Sequence, residues 1–80
     1  MSRDPEALTD MLEACRLVDE FKAGVSREDF LKSREKQSAI MLQLLVLGEA
    51  TKRLSPQFRG AHPEVPWKEI AGMRDRLIHD

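Results

Sequence analysis

The stretch from about Ser33 to Leu54 constrains the fold most, because its apolar residues recur at helical spacing along its length. The positions on its apolar face are Ile40, Met41, Leu44, Leu45, Leu47, Gly48 and Leu54. This pattern predicts one long amphipathic helix, which Pro56 ends. A glycine inside a helix costs about 1 kcal/mol relative to alanine, so Gly48 indicates that another helix approaches closely at that point.

The composition favours helices throughout. The chain has no tyrosine and only nine β-branched residues, and Glu, Leu, Lys, Arg and Ala dominate. Strands prefer β-branched and aromatic residues, so we expect an all-α fold. At 80 residues the chain can form one small domain and is too short for a two-domain enzyme. A domain of this size buries a modest share of its surface, which favours a partner subunit.

A first helix is predicted over residues 5–22. Asp4 is placed as its N-cap, Pro5 suits its first turn, and Gly24 follows its end. Its apolar positions are Leu8, Met11, Leu12, Cys15, Val18 and Phe21. We interpret Cys15 as a core residue on this face.

The remaining segments are a short helix start, a loop and a last helix. Ser26-Arg27-Glu28-Asp29 has the S-x-x-D form of a helix start, in which Ser26 caps a backbone N–H. Residues 55–66 contain three prolines and no apolar period, so we expect a loop across the helices, with Phe58 beneath it. The last helix is predicted from Trp67 to at least His79.

Several classes of protein do not fit this sequence. One cysteine excludes an internal disulfide, and no Cys/His set has zinc spacing. Residues 1–6 lead into no signal-peptide apolar region, and every apolar run is far shorter than the ~20 residues of a membrane span. We therefore expect a cytoplasmic protein without membrane contact, metal or cofactor.

His62 is interpreted as an exposed loop residue, and Trp67 as a packing anchor, with a base-stacking platform as the alternative.

Charge is distributed unevenly around a net value of −1. Residues 51–79 hold six basic and three acidic side chains, a net of +3, whereas residues 1–50 hold seven basic and ten acidic ones, a net of −3. An anionic ligand would be attracted to the last third of the chain. The whole domain lacks the basic excess of a general nucleic-acid binder.

The last helix carries the residues best suited to catalysis or ligand binding. On a helical wheel Arg74 falls in the middle of the apolar stripe, where a charge is costly without a partner. Asp75 and His79 lie one turn apart on the flank, so the carboxylate can orient the imidazole. The alternative is structural: Arg74 extends to water or pairs with Glu49, and His79 is an ordinary surface residue.

Three segments together resemble one known family. They are Leu47-Gly48-Glu49-Ala50-Thr51-Lys52-Arg53-Leu54-Ser55, His62-Pro63-Glu64-Val65-Pro66-Trp67, and Ile70-Ala71-Gly72-Met73-Arg74-Asp75-Arg76-Leu77-Ile78-His79-Asp80. Their order and spacing are similar to those of the HepT-like family of the HEPN superfamily. The resemblance implies an antiparallel, four-helix type of bundle that dimerises and brings two R-x4–6-H motifs into a shared cleft. It assigns the motif arginine and histidine to Arg74 and His79, and the supporting polar residue to Asp75.

The resemblance also implies a function and a partner. Many HEPN domains are metal-independent endoribonucleases, and HepT-like members act as toxins of toxin–antitoxin pairs. The antitoxin is typically an MntA-type minimal nucleotidyltransferase, similar to enzymes that adenylylate a tyrosine two positions after the motif histidine. Here the sequence stops at Asp80. We therefore interpret residues 1–80 as a single HEPN-like domain, truncated before that tyrosine and the last helix of the family.

The residue types suit RNA cleavage. RNA carries its own nucleophile, the 2′-OH, so cleavage needs an acid or base near pH 7 and stabilisation of phosphate charge. Histidine and arginine supply these two functions without a metal. We thus expect an endoribonuclease acting on RNA through Arg74 and His79. The alternative is a non-catalytic helical module that binds nucleotide or a nucleotidyltransferase subunit.

Overall fold

The chain folds into a set of helices. The computed structural model describes the backbone of residues 3–79 and the side chains of residues 3–77. The helices are α1 (Asp4–Lys22), α2 (Arg27–Lys32), α3 (Arg34–Lys52), α4 (Pro56–Ala61) and α5 (Trp67–His79). No strand occurs among the described residues, which confirms the all-α prediction. The described part of the chain contains no helix long and apolar enough to cross a membrane.

Serine caps begin three of these helices. Ser26, Ser33 and Ser55 each accept a hydrogen bond from the backbone N–H three residues later, as N-cap serines do. The predicted cap at Ser26 is confirmed. The predicted cap at Asp4 is wrong, because α1 includes that residue and Arg3 occupies the N-cap position.

Asp4 instead links the start of α1 to the residue Ser55, which follows the end of α3. Its Oδ1 accepts a hydrogen bond from the Ser55 backbone N–H at 2.7 Å, and its Oδ2 accepts one from Ser55 Oγ, also at 2.7 Å. The start of α1 is thereby fixed beside the segment that follows α3. Since the start of one helix meets the end of the other, α1 and α3 run antiparallel.

The prediction of a loop over residues 55–66 is wrong for its first half, which forms α4. Ser55 caps this short helix and Pro56 lies in its first turn, where a missing N–H costs nothing. Phe58 is half-buried, and its ring lies 6.0 Å from that of Trp67 in an edge-on arrangement. Trp67 Nε1 donates to the carbonyl oxygens of Arg59 and His62, at 3.1 and 2.9 Å. Trp67 therefore anchors α5 against α4, as its packing interpretation expects.

The contact of α1 with α3, together with Leu54, is here called the apolar seam. Its buried residues are Ala7, Ala14, Ala50, Thr51 and Leu54. Thr51 Oγ1 donates to the Leu47 carbonyl at 2.8 Å, so the buried hydroxyl is satisfied, and it lies 3.8 Å from Met11 Sδ. Small side chains let the two helices approach closely along this line.

The expectation that Cys15 belongs to the core is wrong, because the residue is exposed. The side of α1 that meets α3 follows Ala7, Met11 and Ala14. Cys15 is displaced from Ala7 by about 80° around the helix axis at 100° per residue. The apolar stripe of α1 is thus wider than the strip that α3 covers.

Candidate active site at the α3–α5 contact

Gly48 brings α5 close to α3. A Cβ placed on Gly48 would lie 2.6 Å from Arg74 Cβ, 3.2 Å from the Arg74 backbone nitrogen and 3.3 Å from the Ile70 carbonyl oxygen. Real Cβ atoms do not tolerate the first of these distances, so only glycine fits here. The predicted close helix approach at Gly48 is confirmed, and it places the backbone of Arg74 against α3.

Arg74 extends along α3 into a cluster of charges. Its Nε lies 3.0 Å from Glu49 Oε2, and its Nη1 donates to Asp75 Oδ1 at 3.2 Å. The Arg74 side chain remains 34% exposed and that of Glu49 56% exposed, so this pair is only partly desolvated. The sequence left Arg74 either open to a cleft or paired with Glu49. The structure shows the pairing and also leaves about a third of the Arg74 side chain exposed.

A second basic residue holds Asp75 from α3. Lys52 Nζ donates to Asp75 Oδ1 at 2.7 Å. The hydrogen bond from Lys52, followed by that from Arg74, lowers the pKa of the Asp75 carboxyl below its usual range. Asp75 therefore stays ionised at neutral pH and bridges the two basic side chains. Gly48, Glu49, Lys52, Arg74 and Asp75 are together called the charged seam.

His79 lies one turn beyond Asp75 on the backbone of α5. Its side chain falls outside the described residues, so the predicted Asp75–His79 hydrogen bond stays a prediction. The described partners of Asp75 are Lys52 and Arg74.

A shallow hollow lies beside Arg74. It has a volume of about 390 Å³ and is lined by Leu45, Val46, Glu49, Arg53 and Arg74. Its walls combine apolar side chains of α3 with two arginines, one of which, Arg53, is held by Asp10 at 2.6 Å. The accessible part of Arg74 thus borders a surface that is apolar on one side.

Comparison with known proteins adds the family to this geometry. Residues 11–80 match the family model described as Ribonuclease HepT-like. The chain belongs to that family. This confirms the resemblance seen in the sequence, and the matched region contains the whole charged seam of this HepT-like chain.

Named relatives of the HepT-like chain agree with this assignment. It is 44% identical over 72 residues to a protein of Thermococcus cleftensis named probable ribonuclease HepT, covering 90% of this chain and 66% of the relative. It is 47% identical over 73 residues to a protein of Caldanaerobacter subterraneus subsp. tengcongensis with the provisional name of an RNase, covering 91% and 65%. The chain thus spans about two thirds of the length of these relatives. No solved structure matches it.

Sequence reasoning missed Lys52 as a site residue of the HepT-like chain. The available signal was its spacing, because Lys52 lies one turn after Gly48 on the side of α3 that meets α5. The other histidine, His62, is exposed as expected and lies 3.5 Å from Glu64. Among the side chains described, no group of three or more His, Cys, Asp or Glu residues could hold a metal ion.

Proposed function

We propose that this HepT-like chain is an endoribonuclease that cleaves RNA by attack of the 2′-OH on the adjacent phosphate. Arg74 and His79 are its catalytic residues, and Asp75 is a supporting residue. Family membership and the ribonuclease names of the relatives support the activity. The arrangement of Arg74 supports the mechanism.

The observation that carries the proposal is how Arg74 is held. The carboxylate of Glu49 contacts Arg74 Nε, and the carboxylate of Asp75 contacts Arg74 Nη1. Nη2 forms no hydrogen bond with any residue in the described part of the chain, and the side chain is one third exposed. Two carboxylates therefore fix the guanidinium while one donor pair stays available. Such a fixed arginine suits phosphate oxygens and the negative charge that develops in the transition state.

The reaction needs only groups of these types. An imidazole takes the proton from the 2′-OH, and the oxygen forms a bond to phosphorus. The bond from phosphorus to the 5′-oxygen then breaks, and that oxygen receives a proton from a second acid. The products are a 2′,3′-cyclic phosphate and a 5′-OH end. Imidazole is suited to both proton transfers because its unperturbed pKa is about 6.5.

We further propose that two copies form the site as a homodimer. Met41, Leu42 and Val46 are large apolar residues exposed on one helix, α3. Val46 also lines the hollow beside Arg74, so a partner packed on this face would lie next to the arginine. Such an arrangement would supply one histidine as base and the other as acid. The family resemblance extends the proposal to a toxin whose activity an MntA-type minimal nucleotidyltransferase antitoxin neutralises.

The test is cleavage of single-stranded RNA by the purified protein in the presence of EDTA. We expect 2′,3′-cyclic phosphate ends and a loss of 10²- to 10⁴-fold in rate for His79→Ala, the usual size of an acid–base contribution. His62→Ala is the matched control, since His62 lies outside the charged seam, and it should cleave at the wild-type rate. Helical circular dichroism establishes that both variants are folded.

Three outcomes would each contradict a part of the proposal. Equal cleavage by His79→Ala and wild type would remove the histidine from the mechanism. Absence of any cleavage by the wild type would favour the non-catalytic module that binds nucleotide or a nucleotidyltransferase. Light scattering that reports only a monomer at high micromolar concentration would remove the composite site.

A further inference from the structure

A cleft lies between α4 and α5, and Asp75 is one of its lining residues. Its volume is about 730 Å³. The lining residues that matter here are Arg59, Gly60, Trp67, Lys68, Gly72 and Asp75. We call it the α4–α5 cleft. It is distinct from the hollow beside Arg74, with which it shares no lining residue.

Two basic side chains of the cleft have no acidic partner. Neither Arg59 nor Lys68 forms an ion pair with any residue that the structure describes. The nearby Lys52, Arg53 and Arg74 are all paired with carboxylates. Two uncompensated positive charges that line one concave surface create a positive potential there, which favours an anionic ligand.

The fold leaves one hydrogen-bond donor of Arg59 without an acceptor in the described part of the chain. Its Nε is buried and has no hydrogen-bond partner among the described residues. A buried donor without an acceptor is unfavourable, so part of the desolvation that accompanies anion binding has already occurred in the folded protein. An acceptor in the cleft reaches this donor once the Arg59 side chain shifts, so the missing hydrogen bond favours a position in which the guanidinium binds an anion.

The cleft also has a rigid aromatic wall and open space beside it. Trp67 lines the cleft, and its indole N–H is fixed by two backbone carbonyls. A Cβ placed on Gly60 would meet no heavy atom within 4 Å, and one placed on Gly72 would meet only Arg76 Nη2, at 3.8 Å. The space above both glycines is therefore free. A planar base can stack on an indole ring, a contact worth about 1–3 kcal/mol per base.

The cleft is continuous with the proposed active site. Lys68, Gly72 and Asp75 follow one face of α5 at helical spacing, and the backbone position of His79 continues that line by one more turn. From Lys68 to His79 the helix rises by about 16 Å, at roughly 1.5 Å per residue. Asp75 is common to the cleft and the charged seam. A strand lying along this face would pass from the cleft to the position of His79.

We propose that the α4–α5 cleft binds the single-stranded RNA that flanks the cleaved phosphate, with Arg59 and Lys68 on backbone phosphates and a base against Trp67. This inference rests on the ribonuclease activity proposed above, and it adds the surface that positions the substrate. Backbone phosphates and stacked bases are common to all sequences, so the cleft contributes affinity and register rather than sequence choice.

The first test is binding of a probe that cannot be cleaved. The probe is a fluorescent, mixed-sequence single strand that carries 2′-O-methyl groups throughout and therefore has no 2′ nucleophile. Fluorescence anisotropy over a salt series measures its Kd. For the double variant Arg59→Gln/Lys68→Gln we expect at least tenfold weaker binding. Its log–log salt slope should be smaller by about 1.4, since each single-strand phosphate contact contributes about 0.7.

The matched control removes the same charge elsewhere. Arg27 and Arg34 are exposed and, within the described chain, unpaired arginines at the starts of α2 and α3. Arg27→Gln/Arg34→Gln should leave the Kd and the salt slope close to the wild-type values. Equal losses in the two double variants would show a general charge effect and would overturn the cleft as the binding surface.

A second test fills the cleft without removing charge. Gly72→Leu places a side chain in the open space, whereas Gly72→Ala adds only a methyl group and serves as its control. We expect several-fold weaker probe binding for leucine and near wild-type binding for alanine, with neither melting temperature lowered. Unchanged binding by a folded Gly72→Leu would also overturn the proposal.

A free nucleotide has the same chemistry as one unit of the strand, so AMP is tested as a competitor. Competition by AMP at the same concentration as an unlabelled RNA strand would assign the cleft to a mononucleotide and overturn the RNA proposal. Because the probe cannot be cleaved, binding and activity are separate readouts. Cleft-dependent binding without His79-dependent cleavage would contradict the proposed function alone, and cleavage without cleft-dependent binding would contradict the cleft alone.

Discussion

The two faces of α3 are built for different purposes. Toward α1, the apolar seam buries Ala50 and Thr51 almost completely, together with Leu54 just after the end of the helix. Toward α5, the charged seam places Glu49 and Lys52 beside Arg74 and Asp75, and these groups stay partly exposed. Residues that alternate along a single helix therefore separate the burial that stabilises the domain from the charges that can act on a ligand.

Small residues occur at both seams for different reasons. Ala50 is small where the apolar surfaces of α1 and α3 meet, so it allows the two helices to bury more surface. Gly48 lacks even a Cβ where the Arg74 backbone crosses α3, so it determines where Arg74 lies. A stability measurement should report mainly on the apolar seam and an activity measurement mainly on the charged seam.

Among the variants that compare the two seams, Gly48→Ala is expected to have the largest effect on activity. The new Cβ would displace α5 and with it Arg74, and a misplacement of about 1 Å can reduce a catalysed rate by about 10²-fold. Overpacking costs about 1–3 kcal/mol, and the gain in helix propensity offsets about 1 kcal/mol of it. We therefore expect RNA cleavage to fall about 100-fold and the free energy of unfolding by at most about 2 kcal/mol, measured by urea denaturation.

Ala50→Gly is the matched control on the other face of the same helix. It should lower the free energy of unfolding by about 1–2 kcal/mol through helix propensity and one lost buried methyl group, and leave cleavage by the folded protein unchanged. If Gly48→Ala kept full activity, or if Ala50→Gly lost it, the two seams would not be separable in this way.

A smaller effect is expected for the stability of Arg74→Ala. Alanine keeps the Cβ that packs on Gly48, and an ion pair as exposed as Arg74–Glu49 contributes about 0–1 kcal/mol. The melting temperature should fall by no more than about 8 °C, the shift that 1 kcal/mol produces in a domain of this size.

Leu54→Ala provides the comparison, because Leu54 is 2% exposed. Truncation of so buried a leucine usually costs 2–5 kcal/mol, so this variant should melt well below Arg74→Ala. A fall of tens of degrees in the melting temperature of Arg74→Ala would instead show that the arginine is needed for the stability of the fold.

The smallest effect concerns Asp75 and pH. The pKa of its carboxyl is lowered in the folded state, mainly by Lys52, so the charged form stabilises the fold at neutral pH. That contribution is complete above the ordinary carboxyl pKa of about 3.9 and disappears as pH falls through the lower folded-state value. The melting temperatures of wild type and Asp75→Asn should therefore differ at pH 7 and converge below about pH 4.

Asp19→Asn is the control that removes the same charge elsewhere, since its nearest described cation, Lys22, is 3.7 Å away on the same helix. Its melting curve should follow the wild type more closely at every pH. A constant difference between wild type and Asp75→Asn down to pH 2 would show that the Lys52 contact does not stabilise the fold.

Much of the fold could be predicted because it depends on local pattern. Helical periodicity located α1, α3 and α5 to within a few residues, and the S-x-x-D sequence located the start of α2. The cost of glycine in a helix also indicated the close approach at Gly48. These features follow from residues within a few turns of each other, which a single sequence displays.

The partners in the charged seam could not be predicted in the same way. Lys52 and Asp75 are 23 residues apart, and their contact depends on the register between two packed helices. The sequence placed Asp75 with His79 by local spacing, whereas the described contacts of Asp75 are to Lys52 and Arg74. The same limit explains Cys15: periodicity shows which side of α1 is apolar, but not how much of that side α3 covers.

The link between Asp4 and Ser55 divides the chain into a closed loop and an arm. It joins residues 51 positions apart, so α1, α2 and α3 lie inside the loop, and α4 and α5 form the arm. Lengthening a flexible loop costs only about 0.6 kcal/mol for each doubling. The turn at Gly24, whose φ is +72°, lies inside the loop, just after the end of α1 that is opposite the Asp4–Ser55 link. Insertions at that turn would therefore lengthen the loop without changing Glu49 and Lys52, the residues near the end of α3 that hold Arg74 and Asp75.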